Sequence, residues 1–326
     1  MADPLRHHGD AELGGGLLDL AVNVYDGPRP AWLDAALRAS LDDVGAYPSP
    51  TAAEAALAAR HGREPGQVLA TAGAAEAFGL VARLRAWHRP VVVHPQFTEP
   101  HAALEQAGHT VTPVVSRDLG GVPEDADLVV VGNPTNPTGA LHPAATIRAL
   151  LRPGRVVLVD EAFMDTVPGE TESLARHPGL LVTRSLTKHW GIPGVRAGYL
   201  LGPAAVVAEL RRGQVPWSVS TTAAAAMIAC STPEALVEAE RRAVEIGRWR
   251  EALEAGLRDL GVEHLPSATS FVLARPGAGV HDRLRAAGVA VRRADTFPGL
   301  DATWVRVAVR PPRTTTRFLD ALRGCL

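Results

Sequence analysis

The sequence is short of cysteine and of long apolar runs, and each shortage excludes a class of protein. Two of the 326 residues are cysteines, Cys230 and Cys325, and they lie far apart and in no metal-ligand spacing. Free thiols of this kind are typical of a reducing cytoplasm. No apolar run approaches the ~20 residues of a membrane span, and the polar residues 1–10 lack the apolar core of a signal peptide. We therefore expect a cytoplasmic protein without a metal site or a membrane partner.

The sequence also lacks a surplus of charge and the common nucleotide-binding loops. Its 33 basic and 35 acidic residues leave a net charge of −2, and no basic face predicts binding to nucleic acid. Lysine is scarce, with one lysine among the basic residues, which indicates a GC-rich genome more than a function. No P-loop is present, and no G-x-G-x-x-G follows the first predicted strand, which disfavours a dinucleotide enzyme.

The length predicts more than one domain, because single cores stop growing near ~250–300 residues. We expect an N-terminal arm over residues 1–30, a large domain over 31–231 and a small C-terminal domain over 232–326. A long charged helix, with Thr232 as its N-cap, would join the two domains. Thr51 and Glu54 form a second helix-start signal, the capping box.

One segment, Ser185 to Arg196, carries a chemical pattern. Lys188 follows an apolar run, where the end of a strand would present its amine at the mouth of a sheet. The hydroxyls of Ser185 and Thr187 and the guanidinium of Arg196 are donors of the kind that hold a phosphate. A lysine beside a phosphate site is suited to bond covalently with the aldehyde of pyridoxal 5′-phosphate (PLP). The alternative is an ordinary surface lysine in a loop.

Other candidate residues follow predicted strands. Asp160 ends a valine-rich run, and the carboxyl ends of parallel strands are where ligands bind in α/β sheets. A carboxylate held against the pyridine nitrogen of PLP would raise the pKa of that nitrogen and keep it protonated; otherwise Asp160 is a strand-end cap. Gly73 separates a predicted strand from a helix whose first N–H groups can bind an anion. Such glycine turns are common.

Together, the segments Asn133–Gly139, Val156–Phe163 and Ser185–Arg196 resemble those of the fold-type I PLP-dependent enzymes, the class I/II aminotransferase superfamily. The resemblance implies an α/β fold with a large, mostly parallel seven-stranded sheet and a small C-terminal α/β domain. It implies PLP as the cofactor and Lys188 and Asp160 as catalytic residues. The implied cofactor-binding residues are Tyr47, Gly73, Ala74, Ala75, Phe97, Asn136, Asp160, Phe163, Ser185, Thr187, Lys188 and Arg196.

The resemblance also implies individual roles. The backbone amides of Ala74 and Ala75 would bind the phosphate, Asn136 the phenolate oxygen, and Phe97 would stack on the ring unless it is a core residue. Tyr47 would reach the phosphate of a neighbouring subunit, which predicts a homodimer; a tyrosine at the pocket rim is an equal alternative.

Within the superfamily, the chain looks most similar to the threonine-phosphate decarboxylases of cobalamin biosynthesis, with the histidinol-phosphate aminotransferases as near relatives. The similarity rests on His8-Gly9-Asp10, on Phe163 where aminotransferases usually have tyrosine, on Ile192-Pro193-Gly194 and on Arg292. It implies that a small phosphorylated amino acid binds the substrate residues His8, Asn23, Asn136, Arg292 and Arg306. Arginines alternating along an edge strand are alternatively only solvent-facing.

Three functions remain open from the sequence. The first expectation is decarboxylation of L-threonine O-3-phosphate to (R)-1-amino-2-propanol O-2-phosphate, and the alternative is an aminotransferase of the histidinol-phosphate type. A third is a PLP-fold protein retained for binding or regulation, which the full set of site residues disfavours. The chain departs from the family at Tyr25-Asp26-Gly27-Pro28, where Asn-Pro-Leu-Gly is usual, and at Ser270, where asparagine is usual.

Overall fold

The computed structural model describes residues 3–326, and these residues form strands and helices that alternate along most of the chain. The strands are β1 Leu18–Leu20, β2 Val68–Ala72, β3 Pro90–His94, β4 Thr112–Val115, β5 Leu128–Gly132, β6 Val156–Asp160, β7 Leu181–Ser185, β8 Ala197–Leu201, β9 Glu263–His264, β10 Phe271–Arg275, β11 Val289–Arg293 and β12 Val305–Ala308. The helices are α1 Ala31–Ala39, α2 Thr51–His61, α3 Ala74–Ala82, α4 Glu99–Gln106, α5 Ala144–Arg148, α6 Ala204–Gly213, α7 Thr221–Ala229, α8 Pro233–Asp259, α9 Val280–Ala286 and α10 Pro312–Cys325.

The larger sheet has seven strands in the order β2-β8-β7-β6-β5-β3-β4. Strand β8 is antiparallel to both of its neighbours, and the other pairs are parallel. Every residue of β3, β5 and β7 is buried, as expected for strands covered on both faces. The predicted large, mostly parallel seven-stranded sheet is confirmed.

The smaller sheet has five strands in the order β1-β11-β12-β10-β9 and its own apolar cluster. Strand β1 lies parallel to β11, so the chain before α1 contributes a strand to this sheet. The domain limits at residues 30 and 231 stay predictions.

The two helix-start signals have different outcomes. Thr232 caps the 27-residue helix α8, since its side chain accepts a hydrogen bond from the N–H of Ala235, as predicted. The capping box at Thr51 is wrong, because Pro50 occupies the N-cap position without a side-chain bond. The Glu54 carboxylate instead accepts a hydrogen bond from the N–H of Ala70 on β2, at 3.0 Å.

The topology brings the chemical segments together. Strands β5, β6 and β7 are parallel neighbours, and Gly132 pairs with Asp160, which pairs in turn with Thr183. Their carboxyl ends therefore share one edge of the sheet, where the loops that contain Asn136 and Lys188 begin. Among residues 3–326, no helix has the length and apolar character required to cross a membrane.

Candidate active site

Lys188 lies three residues beyond the end of β7 in a half-buried position. Burial lowers the pKa of its amine to about 8, and the nearby positive charges of Arg306 and Arg196 act in the same direction. Its backbone carbonyl accepts a hydrogen bond from the N–H of Tyr25 at 2.9 Å. An amine with a lowered pKa has a larger neutral fraction near neutral pH, as a nucleophile or a base requires.

Asp160 is a buried carboxyl group at the end of β6. It accepts a hydrogen bond from the N–H of Ala162 at 3.0 Å, and in the described part of the chain no basic side chain forms an ion pair with it. Burial raises the pKa of Asp160 to about 7, and the negative charge of Glu161 acts in the same direction. A buried carboxyl group without a cationic partner fits the protonated ring nitrogen that PLP would place there.

The start of α3 and two polar segments lie close together and present groups suited to an anion. Gly73 has φ +79°, and a Cβ on it would lie 2.5 Å from Nη2 of Arg196, so the guanidinium packs against the glycine turn. A Cβ on Gly198 would lie 2.5 Å from the carbonyl carbon of Gly73, so β8 also approaches closely. Gly198 is the cross-strand partner of Ser185. The structure thus brings together the first N–H groups of α3, which belong to Ala74 and Ala75, with the side chains of Ser185 and Arg196.

Thr187 joins this group through its hydroxyl. Its Oγ1 lies 2.7 Å from Oγ of Ser185, so the two side chains share a hydrogen bond, and both residues are buried. Two hydroxyls in contact beside an arginine and a helix N-terminus suit a phosphate, which accepts several hydrogen bonds at once.

Arg306, on β12, is a buried guanidinium that makes hydrogen bonds to uncharged groups. It donates to Oδ1 of Asn136 and to the carbonyl of Ala21, both at 2.6 Å. With its amide oxygen turned toward the arginine, Asn23 accepts at 3.1 Å from Nε and Nη1. Burial lowers the pKa of Arg306 to about 9, and the charge of Arg292 acts in the same direction. A buried cation without a carboxylate partner fits an anionic group of a substrate.

Arg292 lies directly across from Arg306 in the pairing of β11 with β12. It donates to the carbonyl of His7 and to Oγ1 of Thr296, both at 2.6 Å, and its Nη1 is 3.9 Å from the carboxylate of Glu12. Burial lowers the pKa of Arg292 to about 10. Both arginines that were predicted to bind substrate are therefore buried side by side rather than solvent-facing.

The N-terminal arm lies over these arginines. Nε2 of His8 is 2.6 Å from the carboxylate of Glu99, and its ring is 5.5 Å from that of Phe97. A Cβ on Gly9 would lie 2.5 Å from the carbonyl oxygen of Ala21 and 3.3 Å from Nη2 of Arg306. The predicted residue His8 thus belongs to a segment in contact with the arginine pair.

Aromatic side chains line the space between the two sheets. The ring of Phe163, three residues after Asp160, meets that of Phe271 edge-on with centroids 4.9 Å apart. Arg306 lies 5.5 Å from the Phe271 ring. Phe97 is half-buried, with its ring 6.1 Å from that of Phe78.

Tyr47 is not part of this group within one chain. Its side chain is 78% exposed and stacks on the exposed Trp217 with ring centroids 4.4 Å apart. Its predicted role needs a second subunit and stays a prediction.

Sequence reasoning missed Arg310, which holds the segment that contains Asn23. Arg310 donates to the carbonyls of Asp19 at 2.9 Å, Val22 at 2.7 Å and Val24 at 3.0 Å. The sequence did contain a signal, because Arg310 comes four residues after Arg306. An even spacing places both side chains on one face of an extended segment.

Residues 16–322 match the family described as aminotransferase class I and II. The chain belongs to this family. Membership indicates a PLP-dependent enzyme with the fold-type I transferase fold, so the predicted fold and cofactor are confirmed.

Relatives of both kinds that the sequence suggested match this chain. A histidinol-phosphate aminotransferase of Mycobacterium tuberculosis (strain ATCC 25618 / H37Rv) is 46% identical over 94% of this chain and 87% of its own length. A threonine-phosphate decarboxylase of Salmonella typhimurium is 30% identical over 95% of this chain and 91% of its own. The crystal structure of a histidinol-phosphate aminotransferase from Clostridium acetobutylicum has a TM-score of 0.87, with 94% and 98% coverage, and at 23% identity it shows the fold alone.

These comparisons correct the expected function. The prediction of a threonine-phosphate decarboxylase, a lyase of cobalamin biosynthesis, is wrong, because the chain is 46% identical to a histidinol-phosphate aminotransferase and 30% identical to that decarboxylase. The residues that favoured it, including Phe163 and Arg292, are expected beside the coenzyme and an anionic group of the substrate in either reaction. They do not determine which bond of the substrate is held perpendicular to the coenzyme ring, and that orientation separates the two reactions.

Proposed function

We propose that this protein is an aminotransferase that exchanges an amino group between a small phosphorylated amine, histidinol phosphate above all, and a 2-oxo acid. The observation that carries the choice of reaction is the 46% identity to a histidinol-phosphate aminotransferase across 94% of the chain. Within residues 3–326, the buried Arg306 and Arg292 have no hydrogen-bonded carboxylate, which supports substrates that carry a phosphate or a carboxylate.

We assign the coenzyme to the edge of the seven-stranded sheet. PLP, when bound, supplies an electron sink that stabilises negative charge at the amine-bearing carbon of the substrate. Asp160 holds the ring nitrogen in its protonated state, and Asn136 binds the phenolate oxygen. The start of α3 with Gly73, Ser185, Thr187 and Arg196 binds the phosphate, and Phe97 and Phe163 border the ring.

Lys188 has two tasks in this proposal. Its amine would hold the coenzyme covalently, and as a free amine it would take the proton from the amine-bearing carbon of the substrate. The lowered pKa of about 8 suits both tasks, because a base works best when its pKa lies near the operating pH.

Substrate binding belongs to the small sheet and the arm. Arg306 and Arg292 bind the anionic groups. The hydrogen-bond acceptors Asn136, Ala21 and His7 are uncharged and keep both guanidinium groups in place, and Arg292 has one carboxylate nearby, that of Glu12 at 3.9 Å. Residues 7–9 exclude water from the arginines, which strengthens their attraction for an anion.

The proposed enzyme works as a homodimer, since Tyr47 reaches a coenzyme phosphate only from a neighbouring subunit. The exposed, stacked rings of Tyr47 and Trp217 provide an apolar surface for such an interface. Sedimentation of the active protein at the mass of a monomer would exclude this arrangement.

The test of the reaction is turnover of histidinol phosphate with 2-oxoglutarate, followed as glutamate formation. We expect formation to require both substrates and PLP and to be lost in Lys188→Ala. Histidinol without its phosphate is the matched control, and it should react at least about tenfold less efficiently if the arginines bind the phosphate. Carbon dioxide release from an amino acid phosphate, with no glutamate formed from any amine, would refute the proposal.

A further inference from the structure

Arg242 on α8 is a buried arginine next to the lysine segment that the proposed mechanism does not use. Its Nη1 donates to the carbonyl of His189 at 3.3 Å and its Nη2 to the carbonyl of Pro28 at 2.8 Å. Its Nε donates to the carboxylate of Glu238, one turn earlier on the same helix, at 2.9 Å. The side chain of Arg242 therefore connects helix α8, His189 and the N-terminal segment that contains Pro28.

Two aromatic rings enclose the same guanidinium. Its central carbon lies 4.3 Å from the centre of the Tyr25 ring and 5.0 Å from that of Trp190. Contacts of this kind between a cation and ring faces are attractive, more so when they are shielded from water. The backbone N–H of Tyr25 also donates to the carbonyl of Lys188 at 2.9 Å. The carbonyls of Lys188 and of the next residue are thus both bound within one cluster.

The cluster is anchored on α8. The hydroxyl of Tyr25 donates to Glu245 at 2.6 Å, and its ring stacks on Trp249 at 5.8 Å with an angle of 8°. Arg242, Glu245 and Trp249 are spaced at three and four residues, so they share one face of the helix. Tyr25 begins the turn at which this chain departs from the usual family sequence, so the cluster includes a residue of that altered turn.

We propose that Arg242 is a positioning residue that fixes the backbone at Lys188, so that the amine is held at the aldehyde carbon of the coenzyme. The inference rests on the role of Lys188 in the proposed function and extends it to a residue that contacts neither coenzyme nor substrate. A guanidinium suits the task, because its planar fork donates to two carbonyls from separate segments in a fixed geometry. A lysine side chain keeps the charge and the pairing with Glu238 but loses that geometry.

The test compares two ligands on the full-length protein stripped of coenzyme. PLP forms a bond to Lys188, whereas pyridoxine 5′-phosphate has an alcohol in place of the aldehyde and relies on the ring and phosphate contacts alone. Lys188 is the only lysine in the sequence. Borohydride trapping followed by peptide mapping therefore reports the bond at this position, separately from the α-amino group.

The variants are Arg242→Lys and Arg242→Met, with Tyr25→Phe as the matched control, which keeps the ring against Arg242 and removes the bond to Glu245. We expect both Arg242 variants to weaken PLP binding and slow trapping at least about tenfold, the order expected for losing hydrogen bonds from a charged group. The affinity of the Arg242 variants for pyridoxine 5′-phosphate should stay within about twofold of the parent's affinity. The control Tyr25→Phe should keep the parent's ratio of PLP affinity to pyridoxine 5′-phosphate affinity.

The outcomes separate the two proposals. If the Arg242 variants lost affinity for PLP and for pyridoxine 5′-phosphate by the same factor, Arg242 would contribute only to general stability. Unchanged PLP binding would also overturn its positioning role. If Arg242→Met does not fold, Arg242→Lys decides, because it keeps the charge and the pairing with Glu238. Failure of the parent protein to trap PLP would refute the role of Lys188 itself, whereas normal trapping without glutamate formation would refute only the proposed reaction.

Discussion

The two sides of the site differ in how their residues are positioned. On the seven-stranded side, Asp160 and Lys188 stand at or just beyond the ends of adjacent parallel strands, within short local motifs. On the five-stranded side, Arg306 is held by an acceptor 170 residues away in sequence and another 285 residues away. The first side therefore depends on strand topology, and the second depends on contacts between distant segments.

The two sides also differ in unbalanced charge. On the seven-stranded side, no basic side chain of residues 3–326 forms an ion pair with the buried carboxyl group of Asp160. On the five-stranded side, no carboxylate of these residues hydrogen-bonds to the buried guanidinium groups of Arg306 and Arg292, and Glu12 is 3.9 Å from Arg292. Burial of a charge without a hydrogen-bonded counterion is unfavourable, so each side is complementary to a ligand of opposite charge. Substitutions should therefore divide into those that affect the coenzyme and those that affect the substrate.

The largest effect is expected from Lys188→Ala on the seven-stranded side. Loss of the anchor and the base should lower kcat at least about 1,000-fold. Borohydride treatment and peptide mapping should then find no coenzyme on the peptide that contains residue 188. Residual turnover near the parent rate would show that another group acts as the base.

Asp160→Asn should come next, with a loss in kcat of about 100-fold or more, because a neutral amide no longer stabilises a protonated ring nitrogen. The measurement is steady-state turnover at saturating coenzyme. A change confined to KM for the substrate would contradict the assignment of Asp160 to the coenzyme.

Arg306→Lys should act chiefly on the substrate side. We expect KM for the anionic substrate to rise about 100-fold, since lysine cannot reproduce a bidentate contact. The effect on coenzyme affinity should be much smaller and should come from Asn136, which loses its hydrogen bond to Arg306. Arg293→Gln is the matched control on the neighbouring strand, because Arg293 is exposed and pairs with Asp295. Equal effects of the two substitutions would remove the distinction between the sides.

The smallest effect is a pH dependence of stability in the coenzyme-free protein. The pKa of Asp160 is raised in the folded state from an ordinary value of 3.8 to about 7, so the folded protein binds the proton more tightly than the unfolded chain. The free energy of unfolding should therefore fall as the pH rises from 3.8 to about 7, and it should stay low above about pH 7. Asp160→Asn should raise the free energy of unfolding in urea by about 1–3 kcal/mol at about pH 8.

The gain from Asp160→Asn should shrink at about pH 4, where the native carboxyl group is protonated and resembles the amide in charge. With PLP bound, the parent protein should be more stable than Asp160→Asn above neutral pH, because the ring nitrogen then provides the missing positive charge. An equal gain at both pH values would mean that the carboxyl group is not desolvated.

The sequence alone predicted the architecture, the coenzyme and the strand ends that bring its proposed residues together. Apolar runs that end in Asp160 or lead to Asn136 and Lys188 predict parallel strands, and parallel strands bring their carboxyl ends to one edge whatever lies between them. Thr232 was likewise predictable as a cap, because its hydrogen-bond partner is three residues away.

Tertiary structure alone decided the remaining contacts. Glu54 bonds to β2 instead of its own helix, Arg310 holds backbone carbonyls, and Arg242 joins three segments. The acceptors of Arg310 and Arg242 are main-chain carbonyls, which every residue type possesses, so no side-chain pattern indicates them. The sequence motifs also could not distinguish decarboxylation from amino-group transfer. That choice depends on the orientation of one substrate bond relative to residues that both kinds of enzyme share.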